Sequence, residues 1–176
     1  MGHIHTEHGQ HDLTTSAFII RIGEDEEPKL ILHMHKKLNR WLQFGGHVEL
    51  DENPWQAIAR EIEEESGYTL DQLKFLQPVT RIKKLEANVH PQPICVNTHV
   101  IQEGHYHTDL TYAFTTSVDP ANPRREGESD EIRSFTMAEL AQEDNIADML
   151  TIGTFVIDEI FGEWLETDCP ETKAST

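Results

Sequence analysis

Residues Gly46–Tyr68 read GHVELDENPWQAIAREIEEESGY, and the punctuation of this stretch decides most of the fold. Asn53 is a good helix N-cap, and Pro54 suits the first helical position, where its missing N–H costs nothing. Gly67 suits the left-handed residue that follows a helix end. Between them Trp55, Ile58, Ala59 and Ile62 recur at helical spacing and define a buried stripe. Glu61, Glu64 and Glu65 fall at i, i+3 and i+4, so they share one face, about a third of a turn from the stripe. Three crowded carboxylates repel one another and disfavour joint ionisation. A solvated glutamate face is one account of them, since Glu is a good helix former. The other is a hard cation held by hard oxygen ligands, with Mg²⁺ or Mn²⁺ the natural choice. The Gly45-Gly46 pair just before the helix favours the second account, because glycine lets backbone carbonyls approach a metal closely.

Working outward, Thr15–Ile22 and Lys29–Met34 read as two strands joined by the acidic turn 23–28, a hairpin. A basic polar stretch, His35–Arg40, leads to Trp41–Gly46. After the helix, Ile94–Ile101 and Thr108–Thr116 read as strands joined at Glu103-Gly104. Residues 118–129 form a polar loop, and Thr136 with Glu139 makes a capping box for a short helix. A last helix is expected from about Asn145 to Leu165, with Met149, Val156, Ile157, Ile160 and Trp164 on one face. Strands and helices are mixed, with hairpins and few β-helix-β units. That is an α/β (α+β) pattern: a mixed sheet flanked by helices, not a doubly wound parallel one. The expected organisation is a flexible His-rich start at 1–11 (His3, His5, His8 and His11), one domain at 12–165, and a flexible tail at 166–176.

The length of 176 residues suits one domain with a real core. The formal net charge of -18 makes a nucleic-acid or anionic-membrane partner unfavourable. A phosphate substrate would be repelled as well unless cations intervene, although acidic surfaces also serve solubility. No apolar run approaches a membrane span, and the start lacks a signal-peptide pattern, so a cytoplasmic location is expected. Cys95 and Cys169 make neither a disulfide framework nor a zinc motif and read as free thiols.

The same stretch resembles the Nudix family, whose signature reads G-x5-E-x7-R-E-U-x-E-E-x-G-U, with U a bulky apolar residue. Gly46, Glu52, Arg60, Glu61, Ile62, Glu64, Glu65 and Gly67 fall on it in register. Tyr68 departs, standing where an aliphatic residue is usual, and its bulk should fill the same pocket. The stretch ILHMHKKLNRWLQFGGHVE, in which a Trp precedes Gly-Gly-His, is similar to a bacterial subgroup, as are HYHTDLTYAF and ESDEIRSF. The resemblance covers residues 12–165. It implies a three-layer α/β/α sandwich with a central mixed sheet, and a signature that folds as loop-helix-loop. It implies that Glu61, Glu64 and Glu65, with the Gly45 carbonyl, ligate Mg²⁺ (or Mn²⁺). Glu52 and Arg60 would hold loop and helix together and orient those ligands. The implied reaction is attack of water on phosphorus in a nucleoside diphosphate linked to another moiety.

Outside the signature the residues leave alternatives open. The general base is either Glu61 or a loop carboxylate among Glu128, Asp130 and Glu131, of which Glu131 is preferred; a solvated acidic loop is the plainer account. His99, His105 and His107 come together if the two later strands pair, and His105 and His107 then point to one side. They read as a substrate-binding or second-metal site, or as polar edge residues. His33 and His35 share a strand face. Arg40 can meet a phosphate and Trp41 can stack on a base, or Trp41 belongs to the core. His47 either approaches the metal site or packs the loop.

Two classes of function remain. The first is a diphosphatase acting on a small phosphate-containing substrate, a nucleotide derivative. The stretch 81–87 lacks the proline usual in ADP-ribose enzymes, and no coenzyme A motif is found. The second is a ligand-sensing module that binds without cutting; such domains often lose a signature carboxylate, and none is lost here. An isopentenyl-type isomerase would need a reactive cysteine near the metal, and only Cys95 offers one. The family often forms homodimers, a state for which the sequence carries no interface signature.

Overall fold

Strand β1 (Gln10–Ile22) shows why this chain builds layers. Its side chains alternate across the sheet, and both faces are apolar. Ala17 and Ile19 join one core cluster, with Trp55, Ile58 and Ile62 of helix α1 (Pro54–Ser66). Phe18 and Ile20 join a second, with Leu140 of α2 (Met137–Leu140) and Met149 of α3 (Ala147–Phe155). A sheet buried on both faces must be covered on both, which gives a helix-sheet-helix sandwich. The computed structural model describes residues 7–82, 85–87, 89–126 and 131–172. His3, His5, Glu128 and Asp130 lie outside the described residues.

The sheet is mixed. Beyond β1 it contains β2 (Pro28–His35), β3 (Arg40–Leu42), β4 (Phe44–His47), β5 (Lys74–Gln77) and β6 (Cys95–Gln102). It also contains β7 (His105–Thr116), β8 (Ile132–Phe135) and β9 (Leu165–Asp168). The order is β3-β2-β1-β7-β5-β9. β1 and β7 run parallel, from Gln10 beside His105 to Arg21 beside Thr116. The other pairings are antiparallel. The outer edge of β1 changes partner along its length: Thr14–Ala17 pair with β4, while Ile19–Ile22 pair with β2. The outer edge of β7 does the same, pairing with β6 up to Thr111 and with β5 at Phe114 and Thr115. The central pair is therefore shared by two sets of neighbours, and the sheet opens between β2 and β4.

Helix α1 starts and stops where the sequence says it should. The Asn53 side chain accepts hydrogen bonds from the N–H groups of Trp55 and Gln56, both at 3.0 Å, and Gln56 Oε1 accepts from Asn53 N–H at 2.9 Å. The last turn closes with Gly67 at φ 78°, its N–H donating to the Glu63 carbonyl at 3.0 Å. The buried stripe includes Ala57, whereas Ala59 is only half-buried.

Arg40–His47, to which the sequence reading assigned no element, supplies β3 and β4, because Trp41 and Phe44 are core side chains and pin it to the sheet. Two expectations need correction. The last helix does not run to Leu165. It leaves α-geometry at Phe155 and makes a wide turn over Val156–Ile160, where Phe161 N–H donates to the Val156 carbonyl. It then breaks before Gly162, at φ 88°. Its apolar residues still reach the core through Met149, Val156 and Ile160. Finally, Leu165–Asp168, at the start of the tail expected to be flexible, is not frayed. It pairs with the open edge of β5, and Trp55 Nε1 donates to the Pro170 carbonyl at 3.0 Å. Tyr68 fills an apolar pocket as its bulk suggested, with its hydroxyl donating to the Val118 carbonyl at 2.9 Å.

Gly67 and Gly162 share a left-handed backbone but not an environment. A Cβ at Gly67 would run into the Asn122 carbonyl, whereas one at Gly162 meets open space. Both alanine substitutions should cost about 1–2 kcal/mol for the backbone conformation. Gly67→Ala should cost more, because the 119–124 loop must also move. Urea unfolding of the two variants checks the order, and equal losses would show that the loop gives way freely.

Candidate active site

The sheet opening forms a cleft of about 490 Å³, within the range of small-ligand sites. One wall carries Gly45, Gly46 and His47 of β4 together with Glu61 and Glu65 of α1. A second carries His33 and His35 at the end of β2, with Lys36 and Lys37 beyond it. The third carries His99 of β6 and His107 and Asp109 of β7.

The signature residues are tied together by one guanidinium. Arg60 donates from Nε and Nη2 to the Glu52 carboxylate at 3.2 and 2.6 Å. It also donates from Nη2 to the His47 carbonyl at 3.1 Å and from Nη1 to Glu61 Oε1 at 2.7 Å. Glu64 lies 3.6 Å from the same Nη1 and 2.7 Å from Arg125. Burial acts to raise the Glu52 carboxyl, but its hydrogen bonds from Arg60 and from Glu49 N–H outweigh that and hold it below the usual carboxylate range. The expected joining of loop to helix is thus present in the contacts of Glu52 and Arg60.

Glu61 and Glu65 are 5% and 7% exposed, which is unusual for carboxylates on a helix. Glu65 accepts the Gly45 N–H at 2.8 Å. A Cβ at Gly46 would fall on the Glu61 carboxylate, so the glycine is what admits that side chain beside the loop. His33 Nδ1 is 4.0 Å from Glu65 Oε1. Burial, and then the neighbouring charges of His35 and Arg124, push the His33 pKa down to about 4, so it faces Glu65 as a neutral ring. Buried carboxylates converging on a glycine-lined cleft fit a hard divalent cation. Glu64 is half-buried and held by arginines, so it stands at the edge of this set.

Several expected residues lie elsewhere. Trp41 is 4% exposed, stacks edge-on against Phe135 at 4.9 Å, and donates from Nε1 to Glu143 at 3.1 Å. It is a core residue and is closed to a base. Arg40 lines a different depression with Glu143 and Asp148. Glu131 is exposed and lines another, with Arg21 and Tyr68. The structure does not bring Arg40 or Glu131 to the cleft that holds Glu61 and Glu65.

The histidine group does assemble. His99 is the cross-strand partner of His107, with ring centroids 5.6 Å apart, and His105 and His107 are 5.5 Å apart. His47 is 4.8 Å from His107 by the same measure. Sequence reasoning missed Asp12, Asp109, Lys36 and Lys37. Asp109 is buried and accepts hydroxyl hydrogen bonds from Thr14, Ser16 and Thr111 at 2.8–2.9 Å. Period-two alternation in HYHTD, which puts His105, His107 and Asp109 on one strand face, was the available signal.

The family model for the NUDIX domain matches residues 12–151. A solved NUDIX-family hydrolase from Clostridium perfringens aligns at TM-score 0.67 and 25% identity, covering 84% of this chain and 96% of its own. An Ap4A hydrolase from C. elegans aligns at TM-score 0.59 and 17% identity, covering 84% and 98%. The NUDIX domain of Shewanella oneidensis NrtR, solved with ADP ribose, aligns at TM-score 0.55 and 16% identity, covering 76% and 77%. No curated protein matches by sequence. Among the described residues no helix is long and apolar enough to cross a membrane. With a family match over most of its length, and with Gly46, Glu61 and Glu65 of the signature lining one cleft, this chain belongs to the NUDIX domain family and is a Nudix hydrolase.

Proposed function

We propose that the cleft hydrolyses a diphosphate bond in a nucleotide derivative, with Mg²⁺ or Mn²⁺ held by Glu61, Glu64, Glu65 and the Gly45 carbonyl. The observation that carries this reading is the pair of nearly buried carboxylates, Glu61 and Glu65, opening into the cleft beside two glycines. When bound, such an ion offsets phosphate charge and lowers the pKa of the attacking water.

The chain's own residues do the rest. Arg60 fixes Glu61 and the His47 carbonyl relative to one another, so the carboxylates stay converged against their mutual repulsion. Gly45 N–H fixes one oxygen of Glu65. Lys36 and Lys37 line the same cleft and supply positive charge for the phosphates, the role that Arg40 was expected to fill. His99 and His107 offer ring donors and acceptors to the remainder of the substrate. Glu61 and Glu65 are the signature carboxylates lining the cleft, and either can take the proton from the attacking water. The nucleotide character of the substrate is supported by the C. elegans protein, an Ap4A hydrolase, and by the Shewanella domain, which was solved with ADP ribose.

The test is a panel of nucleoside triphosphates, dinucleotides, nucleotide sugars and ADP-ribose, with Mg²⁺ or Mn²⁺ and with chelator. Turnover that requires the metal and falls by more than about 100-fold in Glu65→Gln is expected, since even residues that only orient ligands are worth about 10–100-fold. Glu52→Gln, which loosens Arg60, should fall within that lower range. Metal-independent turnover, or full activity in Glu65→Gln, would refute the reading. Lys36→Ala with Lys37→Ala should raise KM by about 3–10-fold and leave kcat within about twofold, the pattern of lost ground-state binding. A fall in kcat at unchanged KM would place the lysines elsewhere in the reaction.

A further inference from the structure

Asp12 is fully buried, 0% exposed, on β1, the strand next to β7. An isolated buried carboxylate is costly, so something must compensate it. Imidazoles stand beside it. Asp12 Oδ2 lies 3.3 Å from His105 Nε2 and 3.4 Å from His47 Nε2. His107 stands directly beside Asp12 in the parallel ladder. One ligand atom from each of Asp12, His105 and His107 lies within 4.8 Å of the others.

Those separations carry information. Charge-assisted hydrogen bonds from nitrogen to carboxylate close to about 2.7–2.9 Å. Tetrahedral coordination with bonds of about 2.0–2.2 Å instead sets neighbouring ligand atoms about 3.3–3.6 Å apart. The Asp12–His105 and Asp12–His47 spacings fall in the second range. Backbone geometry fixes the group rather than chance rotamers. Asp12 on β1, His105 and His107 on β7, and His47 on β4 come from three adjacent strands in continuous register. The chemistry differs from that of the signature carboxylates. Imidazole nitrogens with one carboxylate suit a borderline transition ion, whereas Glu61, Glu64 and Glu65 suit a hard one.

We propose that Asp12, His105 and His107, with His47 at their side, form a second metal site for a divalent transition ion of the Zn²⁺ class. Because His47 and His107 also line the cleft, the ion is held in the cleft wall by residues other than the signature carboxylates.

Co²⁺ is the probe, since its visible absorption reports tetrahedral nitrogen coordination. The full chain, stripped by chelator, is titrated with Co²⁺ under excess Mg²⁺, which saturates a hard-oxygen site. One equivalent is expected to bind, with an intense visible band. His105→Gln and His107→Gln should weaken it by more than about 100-fold, while Glu65→Gln leaves it intact. A variant with His3→Asn, His5→Asn and His8→Asn should also keep the band, which separates this site from the histidine-rich start. Should His105→Gln fail to fold, His107→Gln, at the half-exposed end of the cluster, decides. The proposal is overturned if Co²⁺ does not bind, if Mg²⁺ displaces it, or if the band survives His107→Gln. Loss of the band with the N-terminal substitutions overturns it too.

Discussion

The Arg60 guanidinium is the contact on which the rest of this site depends. It spans the loop through Glu52 and the His47 carbonyl, and the helix through Glu61 and Glu64. Without it, three carboxylates on one helical face would repel one another and turn to solvent. With it, Glu61 can be buried against Gly46, where any side chain would collide with the carboxylate. Charge that looks destabilising in the sequence is thus organised by one cation that satisfies four partners. This arrangement constrains the loop and helix to one relative position, and so fixes where a metal can sit.

That position matters because of how the sheet is built. β1 and β7 are the only parallel pair among the described strands, and each exchanges neighbours midway. The residues that line the resulting opening come from α1 and β4 and from β2, β6 and β7. Apolar clusters on both faces hold the sheet rigid behind it. The cleft is therefore not a surface accident. It follows from the change of partner that starts at Ala17, where β4 gives way to β2.

Local signals were legible in the sequence, and long-range ones were not. Asn53, Pro54 and Gly67 marked the ends of α1 because capping is decided by neighbours within four residues. The Glu61, Glu64 and Glu65 face was legible for the same reason. Trp41 was ambiguous, since a Trp beside a glycine loop serves a base or a core equally well; contact with Phe135, far along the chain, decided it. Lys36 and Lys37 were passed over for Arg40 because the tight turn at Asn39, with φ 48°, reverses the chain between them. Asp12 carried no local sign, since its partners arrive from β4 and β7. The strand Leu165–Asp168 was missed because its stability comes from the open edge of β5 rather than from its own composition.

The central claim is that this cleft directs water to phosphorus. The most direct measurement is hydrolysis of diadenosine polyphosphate and of ADP-ribose in ¹⁸O-labelled water with Mg²⁺, read by mass spectrometry of the products. Attack at phosphorus puts one ¹⁸O on a product phosphate of at least one substrate and leaves the ribose oxygens unlabelled. Tight binding of these compounds without any labelled product would contradict it, and would make the cleft a site of recognition rather than of hydrolysis.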